Sequence, residues 1–162
     1  MADYFTNISL VLELKDEEID YAVRLAELIT EYKDGEIPVP SPEYLEGMEL
    51  FQDDADNWNC DVSKVPEGLW IHSENGSIDE IIAFVQHLLA RFNYTTCVTM
   101  EWSNDCSKPR ADAFGGGAAV VTATEAIYIN TTQWVQRQVD YFTKHGKLPA
   151  QEVFPPTPAS EG

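Results

Sequence analysis

Apolar and polar positions alternate from the start of the chain. Ile8, Leu10, Leu12 and Leu14 fall on one side, Ser9 and Glu13 on the other. That period of two predicts a strand over residues 4–14, buried on one face. The period then changes. Ile19, Ala22, Val23, Ala26 and Ile29 recur at helical spacing and predict a helix from an Asp16 N-cap to about Tyr32. Three prolines within residues 38–42 exclude a regular element there, and Ser41-Pro42 suits the first turn of a short helix. Residues 57–64 and 69–74 read as strands, the second with Leu69 and Ile71 inward and Trp70, His72 and Glu74 outward. Ser77 and Glu80 form a capping-box pattern. It opens a helix with Ile78, Ile81, Ile82, Val85, Leu88, Leu89 and Phe92 on one face and His87 on the polar side. Residues 97–103 alternate again. Residues 118–130 read as one further strand, and Asn130-Thr131-Thr132 caps a last helix. Trp134, Val135, Val139 and Phe142 are its expected apolar contacts, and Gly146 ends it.

This order is β-α-β-β-α-β-β-α. It predicts an α+β fold: a ferredoxin-like split βαβ sandwich with an appended strand and C-terminal helix. Helices cover one sheet face. The other face is expected to carry Ser9, Trp70, His72, Glu74, Thr99 and Glu101. Residues 1–147 read as a single domain, and residues 148–162 as a Pro-rich mobile tail.

Charge changes the picture more than composition does. The 162 residues hold 28 acids and 10 bases, a net charge of −18. Such a field repels nucleic acid and anionic membranes and attracts cationic surfaces. Most of the excess lies early, since residues 1–60 carry 16 acids and 3 bases. Glu17, Asp20, Glu27 and Glu31 share a helix face, and Glu36, Glu43, Glu46, Glu49, Asp53, Asp54 and Asp56 follow it. Carboxylates spread in this way can stand in for phosphates in a Lys/Arg groove, or simply form a solvated face. No apolar run reaches membrane-span length, the first residues lack a signal-peptide pattern, and three widely spaced cysteines fit reduced thiols. The expected location is cytoplasmic.

The densest chemistry lies in residues 101–126. Gly115, Gly116 and Gly117 lead into a strand rather than a helix, and no Gly-Lys-Ser/Thr follows. A phosphate loop is therefore excluded, and a close backbone approach explains the glycines. Asp105 and Asp112 bracket Lys108 and Arg110, which suggests an ion-pair network pinning a long loop; the functional alternative exposes Arg110 to a ligand. Cys106 has no histidine nearby in sequence, so a nucleophilic pair with His72 lacks sequence support. His72, Glu74 and Glu101 could share one sheet face for acid–base work, with Cys106 and Arg110 nearby. No metal-ligand spacing and no cofactor fingerprint occurs.

The pieces Glu-Trp-Ser, Cys-Ser-Lys-Pro-Arg and Asp-Ala-Phe-Gly-Gly-Gly, in this order, resemble a group of short acidic uncharacterised proteins of bacteria, plasmids and phages. The similarity covers roughly residues 67–135. It implies an association with mobile elements and, by analogy, with evasion of host defence. No catalytic residue carries over.

The expectation is therefore a binding protein that inhibits a nucleic-acid-binding host protein, of a defence or restriction complex, by presenting a nucleic-acid-mimicking acidic surface. Its partner is a basic protein surface, not nucleic acid or membrane. One alternative is a small enzyme or ligand-binding domain using the open sheet face and the 101–117 loop. Another is a dimerising structural module, a homodimer.

Overall fold

The computed structural model describes residues 2–36 and 38–150. The expected tail therefore falls largely outside the described residues. The chain divides into two compact units, Met1–Asn130 and Thr131–Gly162.

The first unit is mixed α+β. Strand β1 (Tyr4–Leu12) is followed by α1 (Asp16–Lys33), a 3-10 turn (Pro42–Tyr44), α2 (Leu45–Phe51) and a second 3-10 turn (Ala55–Asn57). Then come β2 (Asp61–Val65), β3 (Gly68–Ser73), α3 (Ile78–Arg91), β4 (Val98–Cys106), β5 (Gly115–Val121) and β6 (Ala126–Asn130). The six strands form one sheet in the order β2-β3-β1-β4-β5-β6, antiparallel at every step. In the second unit, α4 spans Thr131–His145.

The alternation in β1 is realised as expected: Ile8, Leu10 and Leu12 are buried. With Leu69, Ile71, Met100, Ala119 and Val121 they make the inward face of the sheet, and α1 and α3 supply the other side of the core. Helix α1 starts one residue earlier than the Asp16 cap predicts. Lys15 is its N-cap, and the Glu18 carboxylate accepts the Lys15 N–H at 2.9 Å and the Tyr94 hydroxyl at 2.5 Å. Burial and two donors hold Glu18 inside, and this bond raises the Tyr94 pKa. Ser77 is the N-cap of α3, but its hydroxyl meets the Glu80 carboxylate rather than a backbone N–H.

Three readings need correction. The single strand expected at 118–130 is two strands. Thr122 Oγ1 accepts the N–H groups of Thr124 and Glu125, while Thr122 N–H donates to Glu125 O at 2.8 Å. This closes a tight turn without glycine or proline. His87 does lie opposite the apolar face of α3, but that side is buried rather than open. The outward side of α3 is covered by α2, where Gly47 lies so close that an added Cβ would stand 3.0 Å from His87 Nε2. Finally, no residue of α4 is buried. Trp134, Val135, Val139 and Phe142 are each about half exposed.

Candidate functional site

Two surfaces carry the chemistry. The first is acidic. Along α1, Arg24 meets Glu27 at 3.0 Å and Glu31 at 3.2 Å, while Lys64 of β2 lies 3.2 Å from Asp16 and 3.8 Å from Asp20. Half of the expected partner-binding acids on this helix are thus already shared with Arg24, and Asp20 with Lys64. These pairs are exposed and contribute little to stability, but they lower the local negative field. Glu36, Glu43, Glu46, Glu49, Asp53, Asp54 and Asp56 are also exposed. None of their carboxylates takes part in an ion pair among the described residues. All but Glu36, which follows α1, lie on the short helix α2 and its flanking turns, where Gly47 and Phe51 are the side α2 buries.

The second surface is the open face of the sheet. Register places Ser9 opposite His72, Val11 opposite Trp70, and Asp61 opposite His72. The Trp70 and His72 rings stack at 3.7 Å, and Trp70 Nε1 donates to Ser9 Oγ at 2.9 Å. An open depression of about 570 Å³ includes Asn7, Ser9, Trp70, His72, Glu74 and Glu101 in its lining. The expected grouping of His72, Glu74 and Glu101 is therefore present, with β1 between the strands that carry them.

Cys106 and Arg110 do not join that group. Cys106 pairs with Tyr4, five residues along β1 from the Ser9 that faces His72. That is ~17 Å at ~3.4 Å per residue, and the odd offset puts the two on opposite faces. Arg110 Nη1 instead reaches the Tyr4 hydroxyl at 3.3 Å. The ion-pair network expected among Asp105, Lys108, Arg110 and Asp112 is not formed, since none of the ion pairs among the described residues involves them. Hydrogen bonds to the N-terminal residues hold the loop instead. Asn7 Nδ2 donates to Asp105 at 2.9 Å, and Ser107 and Asp3 exchange two bonds of 2.9 Å each. Gly116 and Gly117 are explained by close approach. A Cβ on Gly117 would stand 2.2 Å from the Trp102 ring, and one on Gly116 2.4 Å from Trp102 O.

Sequence reasoning missed the buried pair Tyr21–His87. Tyr21 OH and His87 Nε2 are 2.8 Å apart, Tyr44 stacks on Tyr21 at 5.0 Å, and the Arg91 guanidinium sits 4.2 Å from the Tyr21 ring centre. Burial pushes the Tyr21 phenol up to about 12 and lowers the His87 pKa. Neither group reaches the open face, so the pair is structural. Burial likewise pushes the Cys60 thiol to about 12, with the Asp61 charge adding to it, which leaves this cysteine a poor nucleophile.

Among the described residues no group of three or more His, Cys, Asp or Glu is arranged to hold a metal. No helix among them is long and apolar enough to cross a membrane. No protein-family model, no curated protein and no solved structure matches the chain.

Proposed function

We propose that this protein is an acidic binding protein of mobile-element type. It presents a nucleic-acid-mimicking surface to the basic groove of a host nucleic-acid-binding protein, as in a defence or restriction complex, and so inhibits it. The observation that carries this reading is the contrast within the acids. Those of α1 are largely paired with Arg24 and Lys64, whereas Glu36, Glu43, Glu46, Glu49, Asp53, Asp54 and Asp56 are exposed and form no ion pair among the described residues. Unpaired carboxylates keep their field for a cationic partner. The test is capture from host lysate on the immobilised chain, with elution by duplex DNA. Proteins retained at low salt, released by DNA and lost when Glu43, Glu46 and Glu49 become Lys support the reading. Retention indifferent to salt and DNA would overturn it.

A second reading has its own observation. The depression over Trp70, His72, Glu74 and Glu101 offers a ring platform edged by carboxylates, which suits a small polar or cationic ligand. As to architecture, we infer that β1–β4 with α1 and α3 constitute a ferredoxin-like split βαβ sandwich, extended by β5, β6 and α4. The antiparallel order β2-β3-β1-β4 supports this.

A further inference from the structure

Among the described residues two apolar surfaces are exposed, and each has the form the other requires. The first is on α4. Trp134, Val135, Val139 and Phe142 lie within an arc of ~140° at ~100° per residue, and each is 50–52% exposed. Arg137 and Lys144, seven residues apart, run along the Trp134 edge of that stripe. Neither forms an ion pair among the described residues. The second surface is the β5–β6 end of the open sheet face. Val120 pairs with Ile127 and Ala118 with Ile129, and these residues point away from buried Ala119 and Val121. Val120 is 46%, Ile129 47% and Ile127 77% exposed. Glu101, opposite Ala118 on β4, borders this patch with a carboxylate. An apolar stripe edged by two cations thus matches an apolar patch edged by an acid.

A monomer normally blunts such an edge. The opposite edge strand, β2, carries Asp61 and Lys64, whereas β6 has no charge and three large exposed side chains, Ile127, Tyr128 and Ile129.

We propose that the β5–β6 face is covered by the α4 helix of a second copy of this chain, and that the exchange is reciprocal. Two identical contacts then close a two-fold dimer. The seven apolar residues leave roughly 700 Å² per copy, on the scale of the ~150–250 Å² that one aromatic side chain buries. Both copies together approach the ~1,600 Å² of a standard stable interface. Charge favours the same geometry: residues 126–150 hold Arg137, Lys144 and Lys147 against Asp140 alone, in a chain of net charge −18. The two copies thus meet where their mutual repulsion is least.

The test is the mass of the full chain in solution by light scattering and sedimentation. The wild type is expected to be a dimer at micromolar concentration. Phe142→Asp, which removes the helix contact, and Ile129→Asp, which removes the face contact, are each expected to weaken the dimer by at least ~30-fold, the effect of losing a hot-spot residue. The decisive arm mixes the two variants. Each chain then supplies the part the other lacks, so one contact of the two is intact and a one-to-one heterodimer forms. Trp134→Asp, at another exposed helix position, repeats the helix arm, and circular dichroism confirms that the variants are folded. A monomeric wild type, a dimer that survives the helix variants, or a mixture of folded variants that does not associate would each overturn the proposal.

Discussion

Helices α3 and α4 make an instructive pair. They are 14 and 15 residues long, and each carries its apolar residues on one side. In α3 those residues are inside: Ile81, Phe84, Val85, Leu88 and Leu89 are each at most 2% exposed. In α4 the equivalent residues are half exposed and none is buried. The pattern of a helix states which residues need a cover. Whether the cover belongs to the same chain depends on partners far away in sequence. For α3 these are the inward face of the sheet, α1 and, on its outer side, α2.

The largest test of this contrast is truncation at matched positions. Leu88→Ala should cost about 2–5 kcal/mol by lost burial and a residual cavity. Phe142→Ala, measured by urea unfolding of dilute chain, should change stability by no more than ~0.5 kcal/mol, as a surface substitution does. Equal losses would erase the distinction.

The buried polar side of α3 gives a second test, through pH. Burial lowers the folded-state His87 pKa below its usual 6.5. Glu46 and Arg91 act on it as well as Tyr21: Glu46 favours its charged form, and Arg91 opposes it. Below about 6.5 the unfolded chain takes up a proton that the folded chain refuses. The contribution of neutral His87 is therefore full above 6.5 and is lost as pH falls through the folded-state value. Unfolding curves at several pH values should show that loss in the wild type and not in His87→Gln, although that variant is less stable throughout. An identical slope in both would place the proton uptake elsewhere.

The smallest effect is expected at the helix ends. α4 ends at Gly146, with φ of 72° and its N–H bonded to Phe142 O at 2.7 Å. Gly146→Ala should cost α4 about 1 kcal/mol, because an L side chain resists this conformation. The loss should appear in the helical signal of dilute chain, below the concentrations at which copies associate.

Much of the first unit was legible because one local period decides each element. The alternation of Ile8, Leu10 and Leu12 and the spacing of Ile81, Val85 and Leu88 each have a single solution. Elements set by unlike causes were not legible. The turn at Thr122 rests on a hydroxyl accepting two N–H groups, and nothing in a run rich in Ala, Val and Thr announces it. The burial of His87 was not legible because its cover, α2, is short and approaches through Gly47. For the candidate site, alternation correctly placed His72, Glu74 and Glu101 around one depression. Closeness in sequence was a poor guide for charges. Lys108 and Arg110 ignore the neighbouring acids, while Lys64 reaches across to Asp16 and Asp20 on α1.

That last difference also separates the acids into two sets, and the proposed function rests on the separation. The most direct measurement is displacement of duplex DNA from the captured basic partner, followed across a salt series. Three chains are compared: wild type, Glu43→Lys/Glu46→Lys/Glu49→Lys, and Glu27→Lys/Glu31→Lys. The account predicts that wild type displaces DNA at low salt and loses this ability steeply as salt rises. It predicts that reversing the unpaired acids around α2 abolishes displacement, and that reversing the Arg24-paired acids of α1 weakens it far less. Displacement that is insensitive to salt, or that survives reversal of Glu43, Glu46 and Glu49, would contradict it.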